Sequence, residues 1–197
     1  MTEESFFQPF RKAVENFGKL PEADWQLAVP HLQIKAVKKG GLFAKEGRTA
    51  NEIGVVIKGS FRQYYTKEGS ERTTYFFFQN DLVCSYVSCL TNKPSLITIE
   101  ALTDAEYIVC PYKVLTVMYE KSNAWNRFGR LVAEYVAVGL EERMAGLLMQ
   151  RPEERYRDLL ESNKHKIIEQ IPQQYIASYL GISAVSMSRI RNRLAKR

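Results

Sequence analysis

The sequence predicts an α+β chain. It combines an N-terminal antiparallel β-roll of jelly-roll type, one long helix and an all-α tail. Three observations carry this. Short β-rich runs punctuated by glycine fill the stretch from His31 to Val109, the texture of a small antiparallel barrel. Ser122 to Gln150 runs without proline and repeats apolar residues at helical spacing. The last 26 residues, Pro172 to Arg197, form two short amphipathic patterns around a glycine, the second of them basic. The boundaries that follow are 1–121 for the roll with its leading helices, 122–150 for the long helix and 151–197 for the tail.

Phe6, Phe10, Val14 and Phe17 give Ser5–Phe17 a helical period, and Pro21–Ala28 reads as a second short helix. Strands are expected at Leu32–Val37, Ile53–Ile57, Ser60–Tyr65, Arg72–Phe78, Leu96–Ala101 and Ala105–Val109. Gly40-Gly41, Gly47, Gly59 and Gly69 stand between them, and Lys67-Glu68-Gly69-Ser70 is a hairpin tip. Tyr64, Tyr65, Tyr75, Phe76, Phe77, Phe78 and Tyr86 make the roll aromatic. Such rings can line a pocket for an apolar or planar effector, or alternate between core and surface as strand geometry requires.

Strands stop at Tyr112. In the long helix Phe128, Leu131, Val132, Tyr135, Val136, Val138, Leu140, Met144, Leu147 and Leu148 make a broad stripe. At 1.5 Å per residue the helix spans about 43 Å, more apolar surface than a small roll covers. A second copy packed in coiled-coil fashion would cover the rest. Pro152 ends the helix, Glu153–Leu160 forms another, and Glu161–Glu169 reads as a polar connection.

In the tail, Pro172 suits the first turn of a helix. Ile176, Ala177 and Leu180 form its apolar face, and Gly181 can take the positive φ that ends it. Ile182 fills the gap, and Ser183 is a good N-cap for the second helix. Met187, Ile190 and Leu194 form that helix's buried face. This is the pattern of a helix-turn-helix, whose second helix enters the major groove of DNA. The expected interface is Gln173, Gln174, Ser183, Ala184, Val185, Ser186, Ser188, Arg189, Asn192, Arg193 and Lys196. Arg189 has the fork that suits guanine, and Arg191, Arg193, Lys196 and Arg197 suit phosphates. An amphipathic hairpin with a solvated basic face would not need the specific run Ile-Ala-x-x-Leu-Gly-Ile-Ser.

The chain has 197 residues, is 45% hydrophobic and carries a formal net charge of +6. From residue 163 onward, seven Lys/Arg stand against one acid, Glu169. So local an excess points to a polyanion bound by the tail. No stretch is long and apolar enough to span a bilayer, and the N-terminus has acids where a signal peptide has bases. A cytoplasmic protein is expected. Cys84, Cys89 and Cys110 are odd in number and lack C-x-x-C spacing, so buried apolar thiols are expected rather than a disulfide scaffold. Two histidines, His31 and His165, are too few and too far apart for a metal centre. With no P-loop, nucleophile elbow or dinucleotide fingerprint, no catalytic residue, metal site or enzyme activity is expected.

Ile176-Ala177, Leu180-Gly181 and Ser188-Arg189 resemble the helix-turn-helix of the Crp/Fnr family of bacterial transcription regulators. The resemblance extends over nearly the whole chain. It implies a cyclic-nucleotide-binding-like β-roll, a dimerisation helix, and a homodimer reading an inverted repeat in double-stranded DNA. RNA polymerase and a small effector are further partners that it suggests; none is a membrane. There are departures. The family's β-hairpin wing after the recognition helix is missing before Arg197. Val185 stands where many relatives place a Glu that reads cytosine. In the family's nucleotide binders a Glu holds the ribose and an Arg the phosphate. Those positions match Ser85 and Pro94 or Ser95 here, and Cys84 stands at a glycine. The corresponding effector pocket would be Val83, Cys84, Ser85, Tyr86, Lys93 and Ser95, with Val136 and Leu140 from the long helix. A buried phosphate without its Arg is costly, and Lys93 is a point charge rather than a fork. Tight cyclic AMP binding by the usual contacts is therefore not expected, nor is an iron–sulfur cluster or haem. The cofactor is left unknown. The rival reading is a ligand-binding roll whose basic tail contacts a protein or RNA.

Overall fold

Runs of β-branched and aromatic residues between Gln33 and Pro111 build two four-stranded antiparallel sheets. The computed structural model describes residues 3–161 and 165–194. Its strands are β1 (Gln33–Val37), β2 (Leu42–Ala44), β3 (Glu52–Lys58), β4 (Phe61–Lys67), β5 (Ser70–Phe77), β6 (Leu82–Val83), β7 (Thr98–Ala101) and β8 (Ala105–Pro111). One sheet has the order β1-β8-β3-β6, the other β2-β7-β4-β5. In the first, β8 pairs with both neighbours through Ile108, which lies opposite Ile34 and Val55.

The helices are α1 (Gln8–Glu15), α2 (Glu22–Ala28), α3 (Tyr86–Thr91), α4 (Tyr112–Lys121), α5 (Asn123–Met149), α6 (Pro152–Glu161), α7 (His165–Gln170), α8 (Gln173–Tyr179) and α9 (Ala184–Leu194). The chain divides into two compact units. One comprises residues 1–63 and 76–135, the other residues 64–75 and 136–197.

In the first unit, Val56, Phe61, Phe77, Val83, Ile99, Tyr107 and Val109 form the centre of the roll. Phe43, Phe61 and Tyr107 meet edge to face with centroids 5.3–6.3 Å apart, the arrangement that aromatic quadrupoles favour. A buried arginine spans the second sheet: Arg62 on β4 donates from Nη2 to Glu100 Oε2 on β7 at 2.9 Å. The N-terminal half of α5 buries Trp125, Phe128 and Val132. Trp125 Nε1 donates to the Asp24 carbonyl at 2.8 Å, and Phe17 meets the Phe128 ring edge-on at 5.6 Å.

Gly59, between β3 and β4, has φ +88°, and a Cβ there would lie 2.6 Å from the Asp104 carbonyl and 2.8 Å from Ala105 Cβ. Both obstacles are fixed parts of the roll. Gly59→Ala is expected to lower the unfolding free energy by more than about 2 kcal/mol, read as a fall in the denaturant midpoint; an unchanged midpoint would refute this.

Several local expectations need correction. The helix expected over Ser5–Phe17 is a 3-10 turn, Glu3–Phe7, followed by α1 with its proline near the start. Strands β2 and β6 and helices α3 and α4 were not legible. Residues 165–169 of the expected polar connection lie in α7, where Ile167 is buried. Pro172 is the N-cap of α8 rather than its first turn, with extended ψ of 136°. Phe76, Phe77 and Phe78 do not alternate: all three are buried. Phe78 has left the strand, so the pleat no longer dictates its side.

Candidate nucleic-acid interface and effector cradle

The second unit holds α8, the turn and α9. Ile176, Ala177 and Leu180 are buried beneath Met187 and Ile190. Gly181 turns the chain at φ +71°, and a Cβ there would press on Leu147 at 3.3 Å. Ile182 N donates to the Ala177 carbonyl at 3.0 Å. Ser183 Oγ accepts from Ser186 N at 3.1 Å, which satisfies one of the free first-turn donors of α9.

With Met187 and Ile190 turned inward, helical geometry leaves Val185, Ser188, Arg189 and Asn192 on the opposite face. Their spacing of i, i+3, i+4, i+7 makes one stripe. All four are exposed, as are the flanking Ser183, Ala184, Ser186, Arg191 and Arg193, and Gln173 and Gln174 at the start of α8. Arg193 is not a bare cation: its Nη2 lies 2.7 Å from Glu153 Oε1 on α6. Lys196 and Arg197 lie outside the described residues, and so does the side chain of Leu194.

Two arginines hold the turn in place. Arg155 on α6 donates from Nε to the Leu180 carbonyl at 3.0 Å and from Nη1 to the Gly146 carbonyl on α5 at 3.4 Å. Arg143 on α5 donates to the Tyr179 carbonyl and stacks its guanidinium 4.0 Å from the Tyr179 ring centroid. Burial lowers the Arg143 pKa from its ordinary value. Ser178 joins α8 to the hairpin tip of β4 and β5: its Oγ accepts from Thr73 N at 3.0 Å and donates to the Glu71 carbonyl at 3.1 Å.

In the first unit, the segment expected to cradle a phosphate has satisfied itself. Ser85 Oγ and Ser95 Oγ are 2.8 Å apart, both side chains buried. Ser95 Oγ also donates to the Ile97 carbonyl at 2.7 Å. Ser88 Oγ donates to the Lys93 carbonyl at 2.5 Å and accepts from Ala50 N at 3.0 Å. The positions matched to the family's Glu and Arg thus bond to each other. Val83 is buried, Cys84 and Tyr86 are half-buried and Lys93 is exposed. Cys84, expected as a buried apolar thiol, instead faces the equally half-buried Cys89; only Cys110 is buried as expected. Val136 and Leu140 lie on α5 in the second unit, half-buried and exposed respectively.

Residues 34–122 match the family model of the cyclic nucleotide-binding domain. The fold is similar to FixK2 from Bradyrhizobium japonicum, with TM-score 0.70 and 17% identity over 84% of this chain and 85% of that one. It is similar to a CooA mutant from Carboxydothermus hydrogenoformans, with TM-score 0.70 and 16% identity over 93% and 83%. It is also similar to a transcriptional regulator assigned to the crp/fnr family from Eubacterium rectale, with TM-score 0.67 and 22% identity over 92% and 88%. The chain carries the Crp/Fnr fold. Among curated proteins no sequence matches.

Within this Crp/Fnr fold, sequence reasoning missed Arg143, Arg155, Ser178 and the Ser85–Ser95 pair. The two arginines look like ordinary helix-surface cations in the sequence. Their partners are carbonyls, which no sequence pattern marks. Ser85 and Ser95 were placed by their match to the family positions, and their mutual bond is what the match could not give. Among the described residues no helix is long and apolar enough to cross a membrane.

Proposed function

We propose that the chain is a DNA-binding transcription regulator of Crp/Fnr type, acting as a homodimer on an inverted-repeat operator. The observation that carries the reading is the exposed stripe Val185, Ser188, Arg189 and Asn192 on α9, opposite the buried Met187 and Ile190. The stripe has one guanidinium suited to a guanine edge and one amide suited to adenine. The fold supports a regulator of this kind. The basic flank supplies sequence-independent attraction to phosphates.

Dimerisation is the second part of the reading. Leu140, Met144 and Leu148 on α5 are 60%, 57% and 75% exposed. They follow one another at intervals of four residues, with Ala137 and Leu147 beside them. An apolar helical stripe in water is best covered by its own copy, which also provides the two-fold axis of an inverted repeat.

The roll is read as a sensor whose usual nucleotide contacts are replaced. Cyclic AMP is expected to leave operator affinity unchanged, since Ser85 and Ser95 bond to each other where the Glu and Arg would stand. An effector of other chemistry would act by favouring one of two poses of the reading helices.

The test is fluorescence anisotropy on labelled duplexes from the gene's own upstream region, at fixed salt, with unlabelled bulk DNA as competitor and with and without cyclic AMP. Binding that survives the competitor supports the reading. Weak binding that the competitor abolishes would favour the rival, a basic tail that contacts a protein or RNA.

A further inference from the structure

Cys84 and Cys89 stand on either side of the start of α3. Ser85 is the N-cap of that helix, so Cys84 is the residue before the cap and Cys89 the fourth of the helix. A helix start brings these two positions together, ordinarily as an apolar staple. Here the staple is a pair of thiols with Sγ atoms 3.5 Å apart. The Cys89 thiol also reaches the Glu52 carbonyl at 3.5 Å. Both residues are half-buried, whereas Cys110 is buried.

We propose that Cys84 and Cys89 are an oxidisable dithiol, a modification site that hydrogen peroxide closes to an intramolecular disulfide. The Cys89 thiolate attacks one peroxide oxygen and the O–O bond breaks. This gives a sulfenic acid on Cys89 and a hydroxide, which takes a proton from solvent and leaves as water. The Cys84 sulfur then attacks the Cys89 sulfur, the S–O bond breaks, and the Cys84 proton departs with the hydroxyl as a second water. The two sulfurs lose two electrons and the peroxide gains them. The sulfurs must approach by about 1.5 Å to reach bonding distance, a shift that side-chain torsions on a short helix can supply.

The roles follow from the pair's hydrogen bond. The Cys84 thiol donates to Cys89, which lowers the Cys89 pKa from the ordinary thiol value. The same bond, together with burial, raises that of Cys84. Cys89 is thus the attacking thiolate and Cys84 the resolving thiol. Burial pushes the Cys110 thiol up to about 12, which keeps it out of the reaction. The pair adjoins Ser85, in the segment where the family's nucleotide contacts would stand. It would give the roll a chemical input that needs neither a Glu nor an Arg, and it does not depend on the DNA-reading proposal.

The test uses the purified, reduced full chain treated with hydrogen peroxide, then unfolded and alkylated with N-ethylmaleimide. Untreated protein should take three adducts. Treated protein should take one, with an intact mass lower by two hydrogens, and peptide mapping should link Cys84 to Cys89 within one chain. Cys84→Ser should leave a Cys89 sulfenic acid that dimedone traps, whereas Cys89→Ser should leave Cys84 unoxidised. Retention of three adducts, a link through Cys110, or a link between chains would each overturn the proposal. The wild-type measurement stands alone if a variant does not fold.

Discussion

Placing charge in the exposed stripe of α5, as Leu140→Glu with Met144→Glu, is expected to turn a dimer into a monomer. The cost to the single chain should be small, because both side chains already face water. The cost to association should be large, because two carboxylates from each copy would meet across a two-fold axis with nothing to neutralise them. Light scattering after gel filtration would show the mass fall from twice that of the chain to that of one chain. Thermal unfolding of the isolated variant should remain cooperative. Operator affinity should fall by about 10²–10⁴-fold, because the second half-site is no longer bound at high effective concentration. A wild-type protein that is monomeric, or a variant that stays dimeric, would remove dimerisation through this stripe from the proposed function.

Arg189→Ala is the second substitution with a large expected effect. Arg189 lies in the centre of the exposed stripe of α9, between Val185 and Asn192. Losing a bidentate contact to a guanine costs about 1–3 kcal/mol, roughly five- to 150-fold in Kd per half-site. The diagnostic is the pattern, not the size. The variant should lose preference at one base position and keep its affinity for bulk DNA almost unchanged. An equal loss on specific and scrambled duplexes would make Arg189 a phosphate contact, and the specificity would have to come from elsewhere on the helix.

The helix-turn-helix and most of the roll were legible because each rests on local rules. Gly181 had to be a turn residue, Ser183 had to cap, and Met187 and Ile190 had to share a face. The short elements were illegible for equally local reasons. Leu42–Ala44 has three residues and its pairing with β7 is interrupted by an irregularity, so no alternation could develop. Tyr86–Thr91 is rich in β-branched and hydroxyl residues that oppose a helix, and it is helical because Ser88 Oγ ties it to Lys93 and Ala50. The thiol pair was illegible as a reactive site because its five-residue spacing fits no cysteine motif. A serine cap between the two was the available signal. The arginines Arg62, Arg143 and Arg155 show the wider limit. A sequence marks a charge, but only the fold shows that it is turned inward.

The bonds of Ser178 to Glu71 and Thr73 have a consequence for how the chain is made. The Thr73 and Ser178 partners are 105 residues apart. During synthesis the hairpin tip emerges long before α8, so the bonds from Ser178 can close only once the tail is made. Contacts of such high order form late, after the loop between them has been ordered by other means. The second unit is thus contiguous in space but split along the chain. A fragment begun at Val136 would hold the reading helices while omitting the backbone that Ser178 engages.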